Sequence, residues 1–181
     1  MSGTEIIDVL SPDGAVLKQM PRDLAESENY MSANVLIFLF DPLGRVWVQL
    51  RPTDKKHFGG LWDITACGGI LSAESAIDAA VRETREETSL EPDLQHVETF
   101  IHEFINIAKG QNDRKLSHLY ISITADIPQI SAEADDFKLW ELGELMADVR
   151  AEPHKYVPPF LFELEKAIRA HDQMVSARQT K

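Results

Sequence analysis

Glu83, Glu86 and Glu87 stand three and four residues apart, a spacing that a helix converts into three carboxylates on one face, with neighbouring Cβ atoms roughly 5 to 6 Å apart. At an effective dielectric of about 20, each close pair of ionised carboxylates costs on the order of 2 to 3 kcal/mol. A fold that keeps this helix must offset the repulsion with protons or a cation, and a divalent metal is the simplest remedy. The residues ahead of the helix are equally distinctive. Gly68-Gly-Ile-Leu-Ser-Ala-Glu74 is followed by seven residues and then by Arg82-Glu83-Thr84-Arg85-Glu86-Glu87-Thr88-Ser89-Leu90.

The helix is expected over 75–88, with Ala76, Ile77, Ala80, Val81 and Thr84 forming an apolar or small face opposite the glutamates. Ser72 and Glu74 mark its N-terminus, where acidic character suits the helix dipole. Pro92 lies beyond its end. Upstream, 6–10 and 15–17 flank a Ser-Pro-Asp-Gly turn and read as an N-terminal hairpin spanning about 5–19. The continuous apolar run 35–40 reads as a central strand that turns at Asp41-Pro-Leu-Gly44 into an alternating strand at 45–50 and pairs with it. Residues 51–60 are polar and basic and read as a surface loop. Downstream, 97–105 and 118–124 form a strand pair joined through a polar loop that ends at Lys115. A short strand at 137–142, a short helix at 143–149 and a terminal helix at 158–170 follow, and the tail from 172 is expected to fray.

The whole chain of 181 residues suits a single domain, 1–181, with a core large enough to need no disulfide. Hydrophobic residues at 44% and charged residues at 27% place it with globular chains and exclude disordered or low-complexity classes. The run 35–40 is too short to span a bilayer, and the N-terminus has no secretory pattern. A lone cysteine, Cys67, forms no internal disulfide and fits a reducing compartment, so a cytoplasmic location without membrane association is expected. The net charge of −12 opposes binding to long nucleic acid. A small anionic substrate is compatible with it if a metal and a local basic cluster intervene.

The pattern of Gly, five residues, Glu, seven residues, then Arg-Glu-hydrophobic-any-Glu-Glu-any-Gly-hydrophobic is the Nudix box. This chain resembles the Nudix hydrolases at Gly68, Glu74, Arg82, Glu83, Glu86, Glu87 and Leu90. The resemblance extends through 61–66 and covers about 5–170. Its leading hairpin, the Trp62 region and the C-terminal helix are similar to the isopentenyl-diphosphate-isomerase-like branch. It implies an α/β fold, an α/β/α sandwich around a central mixed sheet, with the box at 68–90. It further implies Mg²⁺, with Mn²⁺ as a substitute, bound by Glu83, Glu86, Glu87 and the Gly68 carbonyl, and Arg82 orienting the glutamates. The expected reaction is attack of water on a small-molecule diphosphate, a nucleoside diphosphate linked to another group X. Glu86 or Glu83 is the expected base, with Glu133, Asp135 and Asp136 as alternatives from a distant loop. Arg51, Lys55, Lys56 and Trp47 are candidate substrate contacts, and a homodimer is left open.

Three positions depart from the box and its lead-in. Thr84 replaces an aliphatic residue, Ser89 replaces Gly at the helix end, and Cys67 replaces the first of two glycines. In Nudix-fold isopentenyl diphosphate isomerases a cysteine at this place is catalytic and is followed by Gly and His. Here Gly69 stands at that His, and Ser32 stands where the upstream strand carries another. Isomerisation through Cys67 is therefore the alternative activity, and a nucleotide-sensing module without catalysis is a third reading.

Overall fold

Val35, Ile37 and Leu39 pack into one hydrophobic cluster while Leu36, Phe38 and Phe40 pack into another, and all six are buried. That division explains why this stretch shows no polar alternation: the strand is covered on both faces. The computed structural model describes residues 5–55, 57–106 and 111–179. In it the apolar run is part of β3 (Ser32–Phe40), which follows β1 (Ile6–Leu10), β2 (Val16–Pro21) and α1 (Arg22–Ser27). The remaining elements are β4 (Val46–Leu50), β5 (Trp62–Asp63), β6 (Ala66–Gly69), α2 (Ala76–Thr88), β7 (Gln95–Asn106), β8 (Gln111–Ile123), β9 (Asp136–Trp140), α3 (Leu142–Ala151) and α4 (Phe160–Gln179).

The sheet is mixed. β3 runs parallel to β8, and every other pairing in the sheet is antiparallel: β3 with β6 and β4, β4 with β5 and β9, and β7 with β8. One face packs on α2 through Ala79 and Ala80; the other packs on α3 and α4 through Leu145, Val149, Phe160 and Leu164. The result is an α/β/α sandwich. The hairpin β1–β2 forms a separate two-stranded sheet with its own small core of Ile7, Val9 and Ala25. Among the described residues, no helix is long and apolar enough to cross a membrane.

β3 and β4 pair as expected, but only at Phe40 and Val46, next to the turn. Beyond it the strands separate, and Thr65 fills the gap: its hydroxyl accepts from the Leu39 N–H at 3.0 Å and donates to the Trp47 carbonyl at 2.5 Å. A buried backbone donor and acceptor are thereby satisfied where the ladder is interrupted.

Several expectations change. Residues 20–29, a polar stretch of the sequence with no expected element, contain α1. The polar segment 111–115 is strand, not loop, because β8 continues in register with β7 to Asn106↔Gln111; residues 109 and 110 lie outside the described residues. α4 begins at Phe160 and runs to Gln179, so the expected frayed tail is helical there. Its extension is held by His171, which is buried and stacked 4.4 Å from the Phe40 ring.

Candidate active site

The glutamate helix turns a different face to the sheet from the one expected. Ile77 and Val81 are 42% and 37% exposed, whereas Ala79, Ala80, Glu83, Thr84, Glu87 and Thr88 are buried. Two carboxylates therefore share the inward face with the small residues. The inward threonines are tolerated because their hydroxyls bond back along the helix, Thr84 to the Ala80 carbonyl at 2.7 Å and Thr88 to that of Thr84 at 2.5 Å. The N-terminus is capped by Ser75, whose Oγ accepts from the Asp78 N–H at 3.2 Å. Ser72 instead donates to Asp8 Oδ1 at 2.8 Å and ties the box to the N-terminal hairpin.

Arg82 explains the fixed spacing between Gly68, Glu74 and the glutamates. Its Nε and Nη2 each donate to Glu74 at 2.8 Å, Nη2 also reaches the Gly69 carbonyl at 3.0 Å, and Nη1 donates to Glu83 at 2.6 Å. Glu86 is more loosely held, 3.4 Å from Nη1 and about half exposed at 51%. The hydrogen bonds from Arg82 hold the Glu74 carboxyl below its usual range, and Glu74 in turn helps to keep Arg82 charged.

The inner carboxylates sit in a tight cradle. A Cβ at Gly68 would lie 2.0 Å from Glu83 Cδ and Oε1, so only glycine fits there. Glu87 Oε2 accepts from Gln49 Nε2 at 2.6 Å and from the Cys67 N–H at 3.2 Å. Burial raises the pKa of Glu83, and it raises that of Glu87 further with Glu83 adding repulsion. Among the described residues, no three acidic, His or Cys side chains already converge to enclose an ion. The donor set nevertheless fits a hard divalent cation. It consists of carboxylate oxygens, with Glu83 and Glu87 buried and Arg82 bonded to Glu83, and Glu86 is exposed enough to turn inward.

These groups line a cavity of about 440 Å³ that also takes in the basic side chains of Arg22, Arg51, Lys55 and Lys115 and the acids Glu5, Glu26 and Glu133. Arg51 and Lys55 line it as expected; Lys56 lies outside the described residues. Arg51 is not on a surface loop in the expected sense. Its side chain is 19% exposed, it pairs with Asp63 at 3.0 Å and it lies 3.9 Å from Cys67 Sγ. Lys55 is paired with Glu133 at the cavity edge, whereas Asp135 and Asp136 do not line the cavity. Trp47 is packed against the core cluster beneath α2 and does not reach the cavity, which removes it as a stacking residue here.

Arg22, Gln49 and Lys115 belong to the site without having been singled out. Arg22 lies over Gly69, where a Cβ would meet its Nη2 at 2.4 Å. Its Nε pairs with Glu5 at 2.9 Å, while the buried Nη2 has no hydrogen-bond partner among the described residues. Lys115 donates to Ser32 Oγ at 2.9 Å. Only Gln49 had a visible signal, a polar side chain in the middle of an alternating strand. Arg22 lay in a polar stretch with no element assigned to it, and Lys115 at the end of a polar loop of the kind that often covers a site.

The NUDIX domain model matches residues 31–160. The chain belongs to the Nudix family. Within it, this Nudix chain is 33% identical over 123 residues to isopentenyl-diphosphate Delta-isomerase 2 of Aromatoleum aromaticum, a match covering 67% of this chain and 65% of that relative. It is 25% identical over 158 residues to isopentenyl-diphosphate Delta-isomerase of Serratia proteamaculans, covering 87% and 88%. These matches place it in the isomerase-like branch. Among solved structures, one from Deinococcus radiodurans superposes with a TM-score of 0.75 at 19% identity, covering 90% of this chain and 98% of that one. The NUDIX domain of Shewanella oneidensis NrtR complexed with ADP ribose superposes at 0.59 with 23% identity, covering 82% and 97%. Both likenesses show the shared sandwich fold.

Proposed function

We propose that this Nudix enzyme is a Mg²⁺-dependent hydrolase that cleaves the diphosphate linkage of a nucleoside diphosphate joined to another group X. The observation that carries this reading is the meeting in one cavity of the carboxylates of Glu83, Glu86 and Glu87 with the cations of Arg22, Arg51, Lys55 and Lys115. A bound Mg²⁺, held by the three glutamates with the Gly68 carbonyl, supplies charge neutralisation and polarisation of the phosphoryl oxygens. The unpartnered Nη2 of Arg22 offers a donor to a phosphate oxygen, and Lys115 and Arg51 add positive charge beside it. Arg82 fixes Glu83 from behind and so keeps the carboxylate wall in place. Glu86, the least constrained of the three, takes the proton from the attacking water as the phosphorus–oxygen bond of the leaving group breaks.

The test is a panel of nucleoside di- and triphosphates, dinucleoside polyphosphates, nucleotide sugars, CoA and isoprenyl diphosphates, assayed with Mg²⁺ and with Mn²⁺. Glu86→Gln and Glu87→Gln should each lower turnover by about two orders of magnitude or more while the fold survives. Wild-type turnover in either purified variant sinks the assignment.

A second reading is isomerisation of isopentenyl diphosphate, favoured by the names of the relatives and by Cys67 in the cavity wall. Burial pushes the Cys67 thiol up, with Asp63 and Glu87 adding to the shift, so it stands as a neutral proton donor. Incubation with isopentenyl diphosphate, read by NMR for the allylic isomer, decides between them. Product that disappears in Cys67→Ala supports the isomerase, and no product removes it.

A further inference from the structure

Behind the main cavity lies a second one of about 180 Å³, and Asn34, Arg51, Cys67 and Lys115 line both. It is also lined by Leu36, Ile64, Val157 and the rings of Phe58 and Phe104, 6.4 Å apart, together with the acids Glu26, Asp63 and Asp113. Phe58 is held there at φ +56°, a backbone conformation that bulky residues rarely adopt.

Into this space projects Glu163 from the first turn of α4, its side chain only 4% exposed. His102 Nε2 is 4.0 Å from it, too far for a hydrogen bond. The proton on that nitrogen is already committed. Ser117 donates its single hydroxyl hydrogen to Asn34 Oδ1 at 2.6 Å, so in its 3.2 Å contact with His102 Nε2 it must be the acceptor. Arg51, in the same lining, is paired with Asp63. Burial lifts the Glu163 carboxyl well above its usual range, in keeping with a group that receives no hydrogen bond among the described residues. A buried carboxyl without a donor is a standing penalty, and a ligand that brings the donor removes it.

We infer that this second cavity receives the group X of the substrate and that Glu163 accepts a hydrogen bond from it, so that X is a compact moiety combining an amine or ring N–H with an apolar or aromatic body. The inference rests on the diphosphate reading above. The carboxyl selects the N–H, and the two phenylalanine faces suit either a planar heterocycle or a small ammonium-bearing chain. A pure hydrocarbon of the same size fills the space and leaves Glu163 as it is.

Two matched pairs separate the sources of that chemistry: 2-aminoethyl against propyl diphosphate, and aminopyrimidinylmethyl against benzyl diphosphate. Equilibrium binding to the full-length protein with Mg²⁺ is measured by calorimetry, and phosphate release is followed separately. The N–H-bearing member of at least one pair should bind about tenfold tighter, the scale of one well-formed hydrogen bond. The pair that responds tells ring from chain. Glu163→Leu should abolish the preference, and Glu163→Met, which keeps the side-chain length without an oxygen acceptor, should do the same if the leucine variant does not fold. Equal binding within both pairs, or a variant that weakens both members of a pair by one factor, overturns the proposal. Preferential binding without phosphate release supports this subsite and counts against the hydrolase; release without preference does the reverse.

Discussion

One methyl group at position 68 would collide with the carboxylate wall. The Cβ of Gly68→Ala would lie 2.0 Å from the Glu83 carboxyl, which is pinned from the other side by Arg82 at 2.6 Å. Neither neighbour can give way without moving the carboxylate by about an ångström, a displacement that typically costs about 10²-fold in turnover. The variant should therefore fold with a stability loss of about 1 to 3 kcal/mol from overpacking and lose most of its activity. Wild-type kcat in that variant would mean that the Glu83 position is irrelevant to the chemistry. A second residue-scale effect is a pH dependence. Burial, helped by Lys115 and Lys166, lowers the His102 pKa to about 4, against about 6.5 in an unfolded chain. Between those values the unfolded state binds the extra proton. The His102 contribution to stability is therefore complete above about pH 6.5 and lost as pH falls to about 4, to a limit of about 3 kcal/mol. Urea unfolding at a series of pH values, compared with His102→Gln, should show the slope in wild type and its loss in the variant. Parallel curves for the two proteins would show that His102 is not the group responsible.

At the scale of elements, Thr65 tests how the sheet tolerates its interruption. Thr65→Val keeps the shape but leaves the Leu39 N–H and the Trp47 carbonyl without the hydroxyl that joins them. The expected cost is about 1 to 3 kcal/mol in chemical unfolding, with the m-value unchanged. A neutral substitution would mean that the strands close on each other directly. The elements themselves were legible where one physical demand dominated the sequence. The run 35–40 announced a strand buried on both faces, and the hairpin, the turn at Gly44 and the glutamate helix each carried local signals. The inward face of α2 was misread because polarity was taken to mean solvent. Glu83 and Glu87 point inward, since the space between helix and sheet is the site itself. The charges of 113–115 concealed the first part of β8 for the same reason, although Lys115 reaches the cavity from that strand. Arg22 and Glu163 come from opposite ends of the chain and acquire meaning only through the tertiary arrangement, which no local pattern encodes.

For the whole molecule, the dominant property is a net charge of −12, with 30 acidic against 18 basic residues. General self-repulsion of this kind is relieved by any salt, because screening acts on exposed charges alike. The cluster of Glu83, Glu86 and Glu87 is a separate case. Two of its members are buried, and counter-ions that only screen from bulk solvent act weakly on them. A specific divalent site therefore predicts stabilisation by Mg²⁺ beyond that given by NaCl at equal ionic strength. With a dissociation constant on the order of 1 mM, about 10 mM Mg²⁺ adds about 1.4 kcal/mol. For a chain of this size that amounts to a rise of roughly 3 to 6 °C in Tm. Glu87→Gln should be no less stable than wild type without Mg²⁺, since it removes a repelled buried carboxylate, yet it should lose the excess response to the ion. Calorimetric melts of both proteins in the two matched salts measure the difference. Superimposed Mg²⁺ and Na⁺ curves for wild type, or the full Mg²⁺ excess retained in Glu87→Gln, would reduce the glutamate cluster to ordinary surface charge and remove its claim to a metal.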